Sequence, residues 1–239
     1  MEDRFLVGRT AVVTGGTRGI GFAIAHALAA AGASVAICGR SQSALEDAVK
    51  RLNSTPGSKV IGRNADVRSS TEVAALFALA DHELGGLDVV VNNAGIGIFR
   101  SVADLTEEEW QKTLETNLSG VFHCCREAVA RMRKRGGGYI LNVGSLAGVN
   151  AFAGGAAYNA SKFGLNGFSE ALMLDHRYDN IRVTQIMPGS VDTEFSSRSG
   201  QSDWKIAPED IAEIVLMLLR MPERTLVSRV DVRPSKPRK

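Results

Sequence analysis

The segment TAVVTGGTRGIG, residues 10–21, decides the fold class of this chain. Its first part, Thr10–Thr14, is a short β-branched and apolar run, which predicts a buried strand. Its second part is rich in glycine and leads directly into a helical pattern, so we expect it to be a turn that approaches a dinucleotide pyrophosphate. The glycine spacing, with Gly15, Gly19 and Gly21, is a variant of the usual fingerprint. Taken alone, the turn could also be a flexible connection without a ligand.

Outward from this segment, short β-branched runs alternate with longer amphipathic stretches. The alternation predicts an α/β fold, a doubly wound seven-stranded parallel sheet with helices on both faces. The predicted strands are Thr10–Thr14, Ser34–Cys38, Lys59–Asn64, Leu87–Asn92, Tyr139–Val143, Arg182–Met187 and Leu226–Val232. The predicted helices are Gly19–Ala31, Ser41–Asn53, Ser70–Glu83, Glu107–Arg133, Tyr158–Tyr178 and Pro208–Arg220. We expect one domain over residues 1–239, with 234–239 as a frayed, solvated tail.

The composition narrows the classes of function. Hydrophobic residues make up 44% of the chain and charged residues 23%, and the net charge is only +2 with the charges interspersed. These values are typical of a globular protein with a small-molecule partner, and they give no basic face for nucleic acid. Three cysteines and four histidines lack metal-ligand spacing, so we expect reduced thiols and no metal site. Because residues 1–9 lack a signal-peptide pattern and no apolar run could span a bilayer, we expect a cytoplasmic protein without a membrane partner.

The end of the second predicted strand predicts the cofactor. In dinucleotide-binding sheets, this strand normally ends near an acidic residue that holds the adenosine ribose. Here Cys38 is followed by Gly39 and Arg40, and a guanidinium can pair with a 2′-phosphate where a carboxylate would repel it. Arg18 in the glycine turn offers a second guanidinium. The pattern therefore predicts NADP(H), with two solvated surface arginines as the alternative.

Tyr158 and Lys162 are the candidate proton-transfer pair. Four residues apart on a helix, they share one face, and an ammonium beside a phenol favours the phenolate and lowers the phenol pKa. Such a tyrosine can act as a general acid or base. Ser145 follows the fifth predicted strand, at the edge of the sheet where ligands bind, and its hydroxyl could contact the same substrate oxygen. Separately, these residues could be a surface pair and a turn serine.

Taken together, the motifs resemble the short-chain dehydrogenases and reductases in their main single-domain form. The motifs run from Thr10 to about Thr193 and are TGGTRGIG at 14–21, Asp66-Val67, NNAG at 92–95, Asn117, Ser145, Tyr158-x-x-x-Lys162, and Pro188-Gly189 followed by Thr193. The resemblance implies a Rossmann fold with strand order 3-2-1-4-5-6-7 and an NADP-dependent oxidoreductase that moves a hydride between nicotinamide and a carbonyl or alcohol. It implies a homodimer or homotetramer as well.

The resemblance also implies a role for each matching residue. The catalytic residues would be Asn117, Ser145, Tyr158 and Lys162, with Tyr158 moving the proton, Lys162 also holding the nicotinamide ribose and Asn117 supporting a water chain. Asp66 would reach the adenine amino group, Thr193 the nicotinamide carboxamide, and Asn92, Ala94 and Gly95 would line the adenosine side. The predicted cofactor-binding residues are Gly15, Thr17, Arg18, Gly19, Ile20, Gly21, Arg40, Asp66, Val67, Asn93, Ala94, Gly95, Tyr158, Lys162, Pro188, Gly189, Val191 and Thr193.

The segments expected to recognise the substrate carry few motifs. The segment expected to recognise it, Glu194–Ala207, is short and polar with Phe195 and Trp204 as its only aromatic residues, which predicts a mobile lid over an open cleft. Ala151–Gly154 would add a small apolar wall. The last strand lacks the glycine pair that often follows it in fatty-acid-type reductases, so a 3-oxoacyl carrier-protein reductase is the second candidate. A third is an NADP(H)-binding sensor without turnover, which predicts a defective catalytic set.

Overall fold

The computed structural model describes residues 4–195 and 203–237. Within these ranges the chain forms seven strands and seven α-helices. The strands are β1 (Thr10–Thr14), β2 (Ser34–Gly39), β3 (Lys59–Asn64), β4 (Val89–Asn92), β5 (Gly138–Val143), β6 (Ile181–Pro188) and β7 (Arg229–Val232). The helices are α1 (Gly19–Ala30), α2 (Gln42–Leu52), α3 (Ser70–Leu84), α4 (Glu107–Leu114), α5 (Gly120–Arg135), α6 (Ala156–His176) and α7 (Pro208–Arg220).

The described strands form one parallel sheet in the order β3-β2-β1-β4-β5-β6-β7, which confirms the predicted fold class and strand order. The direction of chain progression across the sheet reverses between β1 and β4. At such a reversal the connections leave in opposite directions, and a crevice opens beyond the carboxyl ends of the strands. The fold therefore places a ligand site beside the glycine turn that follows β1.

Two hydrophobic cores hold the helices on the sheet. Successive side chains of a strand point to opposite faces, so β1 contributes to both cores. Val13 packs in the core formed with α1, α2 and α7, which contains Ile24 and Val215. Val12 packs in the core formed with α3, α5 and α6, which contains Phe77 and Leu165. Since helices cover both faces of the sheet, side chains at the carboxyl ends of the strands are the ones that can contact a ligand.

Some predicted boundaries were wrong. The long helix expected over Glu107–Arg133 is divided by a π-helical turn, Glu115–Ser119, and continues to Arg135, where left-handed Gly136 ends it. Helix α6 begins at Ala156, two residues before the predicted start. The last strand begins at Arg229 rather than Leu226: the Val227 carbonyl accepts from the Thr184 side chain, and backbone pairing with β6 begins only at the Ser228 carbonyl, which accepts from the amide of Gln185 at 2.9 Å.

The three cysteine side chains, Cys38, Cys124 and Cys125, are buried free thiols. Burial raises the pKa of Cys38 to about 11 and that of Cys125 to about 12, so these thiols are protonated near neutral pH. Among the described residues, no group of histidine, cysteine and acidic side chains is arranged to hold a metal ion. None of the helices in residues 4–195 and 203–237 has the length and hydropathy needed to cross a membrane.

Candidate active site

One cleft of about 1620 Å³ runs along the carboxyl ends of the central strands. Its volume exceeds that of a typical small-ligand pocket, so it has room for a dinucleotide and a substrate together. Of the residues predicted for the site, three do not line it: Gly21, Asn92 and Asn117. Those that line it are Gly15, Thr17, Arg18, Gly19, Ile20, Arg40, Asp66, Val67, Asn93, Ala94, Gly95, Ser145, Tyr158, Lys162, Pro188, Gly189, Val191 and Thr193.

The glycine turn after β1 is shaped for close approach by an anion. Gly15 has a φ of +64°, and a Cβ on it would lie 3.0 Å from the Cα of Ala94. Although Gly21 does not line the cleft, a Cβ there would collide with the carbonyl oxygen of Gly15, so glycine at this position lets α1 pack against the turn. The N-cap residue Arg18 makes no side-chain capping bond, which leaves the first amides of α1 available to a phosphate group.

Asn93 braces this turn from the next strand along the sheet. Its side-chain amide donates to the carbonyl oxygens of Thr14 and Gly15 at 3.0 and 3.2 Å. In return, the Thr14 hydroxyl oxygen accepts from the backbone amides of Asn93 and Ala94, each at 3.0 Å. The turn is thus preorganised by β4, and Thr14 is a bracing residue that the sequence reasoning missed.

The adenosine end of the cleft carries charged side chains. Arg40 is exposed and lines the cleft where β2 ends. The Arg18 guanidinium pairs with Glu194 at 2.6 Å, and both side chains are largely exposed, so this pair is weak enough for a phosphate to compete with it. The Asp66 carboxylate accepts from the Arg68 guanidinium, which lowers the pKa of Asp66. Its expected contact with adenine stays a prediction.

One predicted contact was wrong. Asn92 does not line the cleft, because its side chain turns into the sheet and is buried. There its amide donates to Oδ1 of Asn142 at 2.8 Å and to the Cys125 sulfur at 3.3 Å. The alternation of side chains along β4 accounts for this, since consecutive residues point in opposite directions. Asn93 therefore lines the cleft and Asn92 joins the interior.

The nicotinamide end of the cleft brings together Ser145, Tyr158 and Lys162. The Ser145 hydroxyl lies close enough to the Tyr158 hydroxyl to act on its pKa, and the Ser145 oxygen accepts from the backbone amide of Ala147 at 3.1 Å. The Lys162 ammonium donates to the carbonyl oxygen of Val143 at 3.1 Å and lies 5.8 Å from the centre of the Tyr158 ring. Tyr158 and Lys162 therefore lie on one face of α6, as predicted, and Ser145 faces them from the segment after β5.

Burial controls the electrostatics of this pair. It raises the pKa of Tyr158, with the Ser145 side chain acting in the opposite direction, and it lowers the pKa of Lys162 to about 8. The sequence predicted a lowered pKa for the phenol from its cationic neighbour. That direction was wrong for the protein alone, since removal of the hydroxyl from water raises its pKa more than the Ser145 side chain lowers it. Tyr158 is therefore a phenol at neutral pH, ready to donate a proton.

Helix α6 also holds the segment that carries Ser145. The Asn159 amide donates to the carbonyl oxygen of Ala147 at 2.7 Å, and the Asn166 amide donates to that of Gly148 at 2.8 Å. Together with Lys162, these amides lie at positions i, i+3 and i+7 on one helix face. This spacing was a signal in the sequence for a polar face that supports the site, and the sequence reasoning missed it.

Asn117 lies in the π-helical turn, buried and away from the cleft wall. Its side chain accepts from the amide of Ile96 at 2.8 Å and donates to the carbonyl oxygen of Ile96 at 2.9 Å. It also donates to the Ser161 hydroxyl, which in turn donates to the backbone carbonyl of Tyr158. Asn117 therefore links the loop after β4 to the catalytic helix. Its expected part in a water chain stays a prediction.

The substrate side of the cleft is partly described. Residues 196–202 of the expected lid lie outside the described ranges, while Phe195 and Trp204 line the cleft. The base of this segment is closed by a bridge between Val191 and Ile206. Phe99, for which no sequence signal existed, and Phe152 line the same side. In the C-terminal segment, Pro234 and Pro237 also line the cleft.

Comparison with known proteins gives the family. The family model for short chain dehydrogenase matches residues 9–204. A 3alpha-hydroxysteroid dehydrogenase of Mediterraneibacter gnavus is 35% identical over 225 residues, 89% of this chain and 90% of the relative. A 3-oxoacyl-(acyl-carrier-protein) reductase of Chlamydia muridarum is 38% identical over 227 residues, 90% of this chain and 92% of the relative.

A solved structure extends the likeness to three dimensions. The alcohol dehydrogenase of the archaeon Thermococcus sibiricus, complexed with 5-hydroxy-NADP, has a TM-score of 0.90 and 31% identity, with 97% of this chain and 98% of that chain covered. This chain therefore belongs to the short-chain dehydrogenase/reductase family of oxidoreductases.

Proposed function

We propose that this chain is an NADP(H)-dependent carbonyl reductase, or an alcohol dehydrogenase in the reverse direction, with Tyr158 as its general acid or base. The observation that carries the proposal is the meeting of the Tyr158 and Ser145 hydroxyls on the wall of a cleft that also holds Lys162. Tyr158 is a phenol at neutral pH, so it has a proton to donate. A non-catalytic sensor would not need these groups together.

The chemistry divides between the cofactor and the chain. A bound nicotinamide supplies the hydride for the carbonyl carbon. Tyr158 donates its phenolic proton to the carbonyl oxygen, and Ser145 donates a hydrogen bond to that oxygen as negative charge develops on it. Lys162 keeps a positive charge near the phenolate that remains, which favours the proton's departure. In the reverse direction Tyr158 accepts the alcohol proton.

Two features of the chain and the ligand of one relative fit NADP(H). The uncapped start of α1 offers amides to the pyrophosphate, and glycine at positions 15 and 19 leaves room for it. Arg40 stands at the end of β2, where a guanidinium can pair with a 2′-phosphate. The Thermococcus sibiricus relative was solved with an NADP derivative. Lys162, Pro188, Gly189 and Thr193 would hold the nicotinamide half, since they line the other end of the cleft.

The test is turnover of NADPH with a panel of aldehydes and ketones, followed by absorbance. We expect consumption that Tyr158→Phe abolishes while NADPH binding, measured by fluorescence, is retained. The Phe variant keeps the ring and removes only the hydroxyl, so it isolates the proton transfer. Binding of NADPH without turnover of any carbonyl would favour the sensor instead, and undiminished turnover by Tyr158→Phe would refute the role of this residue.

A 3-oxoacyl-(acyl-carrier-protein) reductase is the second candidate, and the Chlamydia muridarum relative favours it. Against it, β7 is followed by Arg233 and Pro234 where such reductases often carry a glycine pair. An acetoacetyl thioester of acyl carrier protein distinguishes the two candidates. Reduction of that thioester much faster than of simple ketones would make it the primary substrate class.

We further infer a homodimer or homotetramer. Phe122 on α5 and Phe163 and Leu174 on α6 leave about half of their apolar side chains exposed. Large exposed apolar side chains on adjacent helices are typical of faces that pair with a second copy. Sedimentation velocity at assay concentration tests this inference, and a monomer at all concentrations would contradict it.

A further inference from the structure

We propose that the substrate carries a rigid, apolar ring system next to its reacting carbonyl or alcohol carbon. The proposal rests on the proposed function and adds its substrate class. It starts from three phenylalanine side chains, Phe99, Phe152 and Phe195, which line the cleft and are 46%, 45% and 44% exposed. Large apolar side chains left half exposed around a reacting group are typical of a binding surface rather than of a core.

All three rings surround the same partner, Tyr158. The distances between ring centres are 5.5 Å from Phe99 to Tyr158, 6.0 Å from Phe195 and 6.4 Å from Phe152. Phe99 and Phe152 also contact each other, with centres 5.7 Å apart. The proton donor is thus set in an aromatic collar, defined here as these three phenylalanines. A substrate oxygen that reaches the Tyr158 hydroxyl brings its neighbouring carbon atoms against this collar.

The backbone keeps the collar in place from three separate segments. A Cβ at Gly97 would lie 2.7 Å from the Phe99 ring and 2.9 Å from the Phe195 ring, so the absence of a side chain there lets these rings approach from both sides of the cleft. A parallel bridge between Arg100 and Gly155 ties the Phe99 segment to the Phe152 segment. A collar held by such contacts is preorganised, which favours a rigid ligand.

Near the collar, the Lys205 ammonium and the Asp192 carboxylate pair with each other at 3.3 Å. Other apolar side chains that line the cleft are Ile96, Leu146, Ala147, Val191 and Trp204. The surroundings of the collar therefore match an uncharged, apolar group better than a carboxylate or a phosphate.

A ring fits the collar better than an open chain does. Packing on the aromatic faces removes apolar carbon atoms from water, and this gain is available to a ring and to a chain alike. A flexible chain would lose the freedom of several rotatable bonds to make the same contacts, whereas a fused ring loses almost none. The collar therefore selects by shape as well as by apolar area.

The experiment compares a bicyclic decalone with the open-chain decanone that has the same number of carbon atoms, both reduced with NADPH. We expect kcat/KM for the decalone to exceed that for the decanone by about tenfold. Phe99→Leu and Phe195→Leu, which remove a ring and keep an apolar side chain, should lower the decalone value about fivefold each and the decanone value less than about twofold. Tyr178→Leu is the control, because Tyr178 is 92% exposed and does not line the cleft.

Two results would overturn the inference: a decanone reduced as well as the decalone, or Leu variants that lower both values equally. A second measurement separates this failure from failure of the proposed function. Decalone binding to the Tyr158→Phe protein loaded with NADPH is measured by calorimetry, with and without Phe99→Leu. If no carbonyl is turned over but Phe99→Leu still weakens decalone binding, the proposed activity fails and the ring site stands; decalone binding that Phe99→Leu leaves unchanged overturns the ring site.

Discussion

Burial lowers the pKa of the Lys162 ammonium to about 8, which brings its loss of charge close to neutral pH. A lowered pKa means that the ammonium is present below about pH 8 and is lost as the pH rises through that value. We expect kcat/KM for NADPH, which reports groups of the free enzyme, to be level below pH 8 and to fall above it. Lys162→Arg keeps a cation at all these pH values, so it should remove the inflection near pH 8 even if activity is lower. An unchanged inflection in this variant would assign the titration to another group.

Arg40 is the residue on which the choice of cofactor depends. Replacing it in Arg40→Asp removes a partner of the 2′-phosphate and adds a like charge, so NADPH affinity should fall by at least about tenfold. NADH has a hydroxyl at that position, and its affinity should change by less than about threefold. Fluorescence titration with both cofactors measures the ratio. Equal losses for the two cofactors would show that Arg40 acts on something other than the 2′-phosphate.

The sequence predicted that Tyr158 and Lys162 lie together, but not which other side chains bury them. The i, i+4 spacing was sufficient to place Tyr158 and Lys162 on one face. The spacing could not predict whether the pKa of Tyr158 is raised or lowered. That shift depends on burial by side chains from distant segments, including Phe99 and Phe195. No local pattern relates these positions, so only the folded structure brings the collar together.

Among the elements, α1 depends on glycine at its first turn. Gly21→Ala would place a methyl group against the carbonyl oxygen of Gly15, so the turn or the helix must shift. We expect NADPH affinity to fall by more than about tenfold, because displaced amides bind phosphate poorly. Gly167→Ala in α6 is the matched control, since a Cβ there meets no atom within 4 Å. NADPH titration measures both, and a Gly21→Ala protein with normal affinity would contradict the packing argument.

Element boundaries were predictable where they depend on local chemistry and not where they depend on tertiary contacts. The predicted start of α4 is confirmed, with Thr106 and Glu109 forming a capping box in the structure. The π-helical turn at Glu115–Ser119 was missed because a single turn of five residues is too short to show a period of its own in the apolar pattern. Its cause is long-range: Asn117 must reach both backbone groups of Ile96 in another segment.

For the whole molecule, alternation of strands and helices was enough to predict an α/β fold, but not the order of the strands. The order followed from the resemblance to a family, and the structure confirms it. The order matters because it sets β1 beside β4, so that Asn93 meets the glycine turn, and β5 beside β6, so that Ser145 lies near Gly189 in one cleft. On the substrate side, the sequence predicted the two segments that carry Phe152 and Phe195, but not Phe99 or the way the three rings meet, which depends on separate loops beyond the sheet.

Because the cleft crosses the strand ends from β2 to β6, a dinucleotide would connect both halves of the sheet and stabilise the fold as a whole. At a concentration about 100-fold above its Kd, NADPH should contribute about 2.7 kcal/mol, which corresponds to a rise in Tm of roughly 5–10 °C for a chain of this size. NADH at the same concentration should raise Tm much less, since it lacks the phosphate that Arg40 would hold. Thermal unfolding of the wild type and of Arg40→Asp, with each cofactor, checks this expectation. Arg40 is exposed, so the variant alone should melt near the wild-type temperature and lose only the advantage of NADPH; equal shifts for both cofactors in the wild type would contradict the assignment of NADP(H).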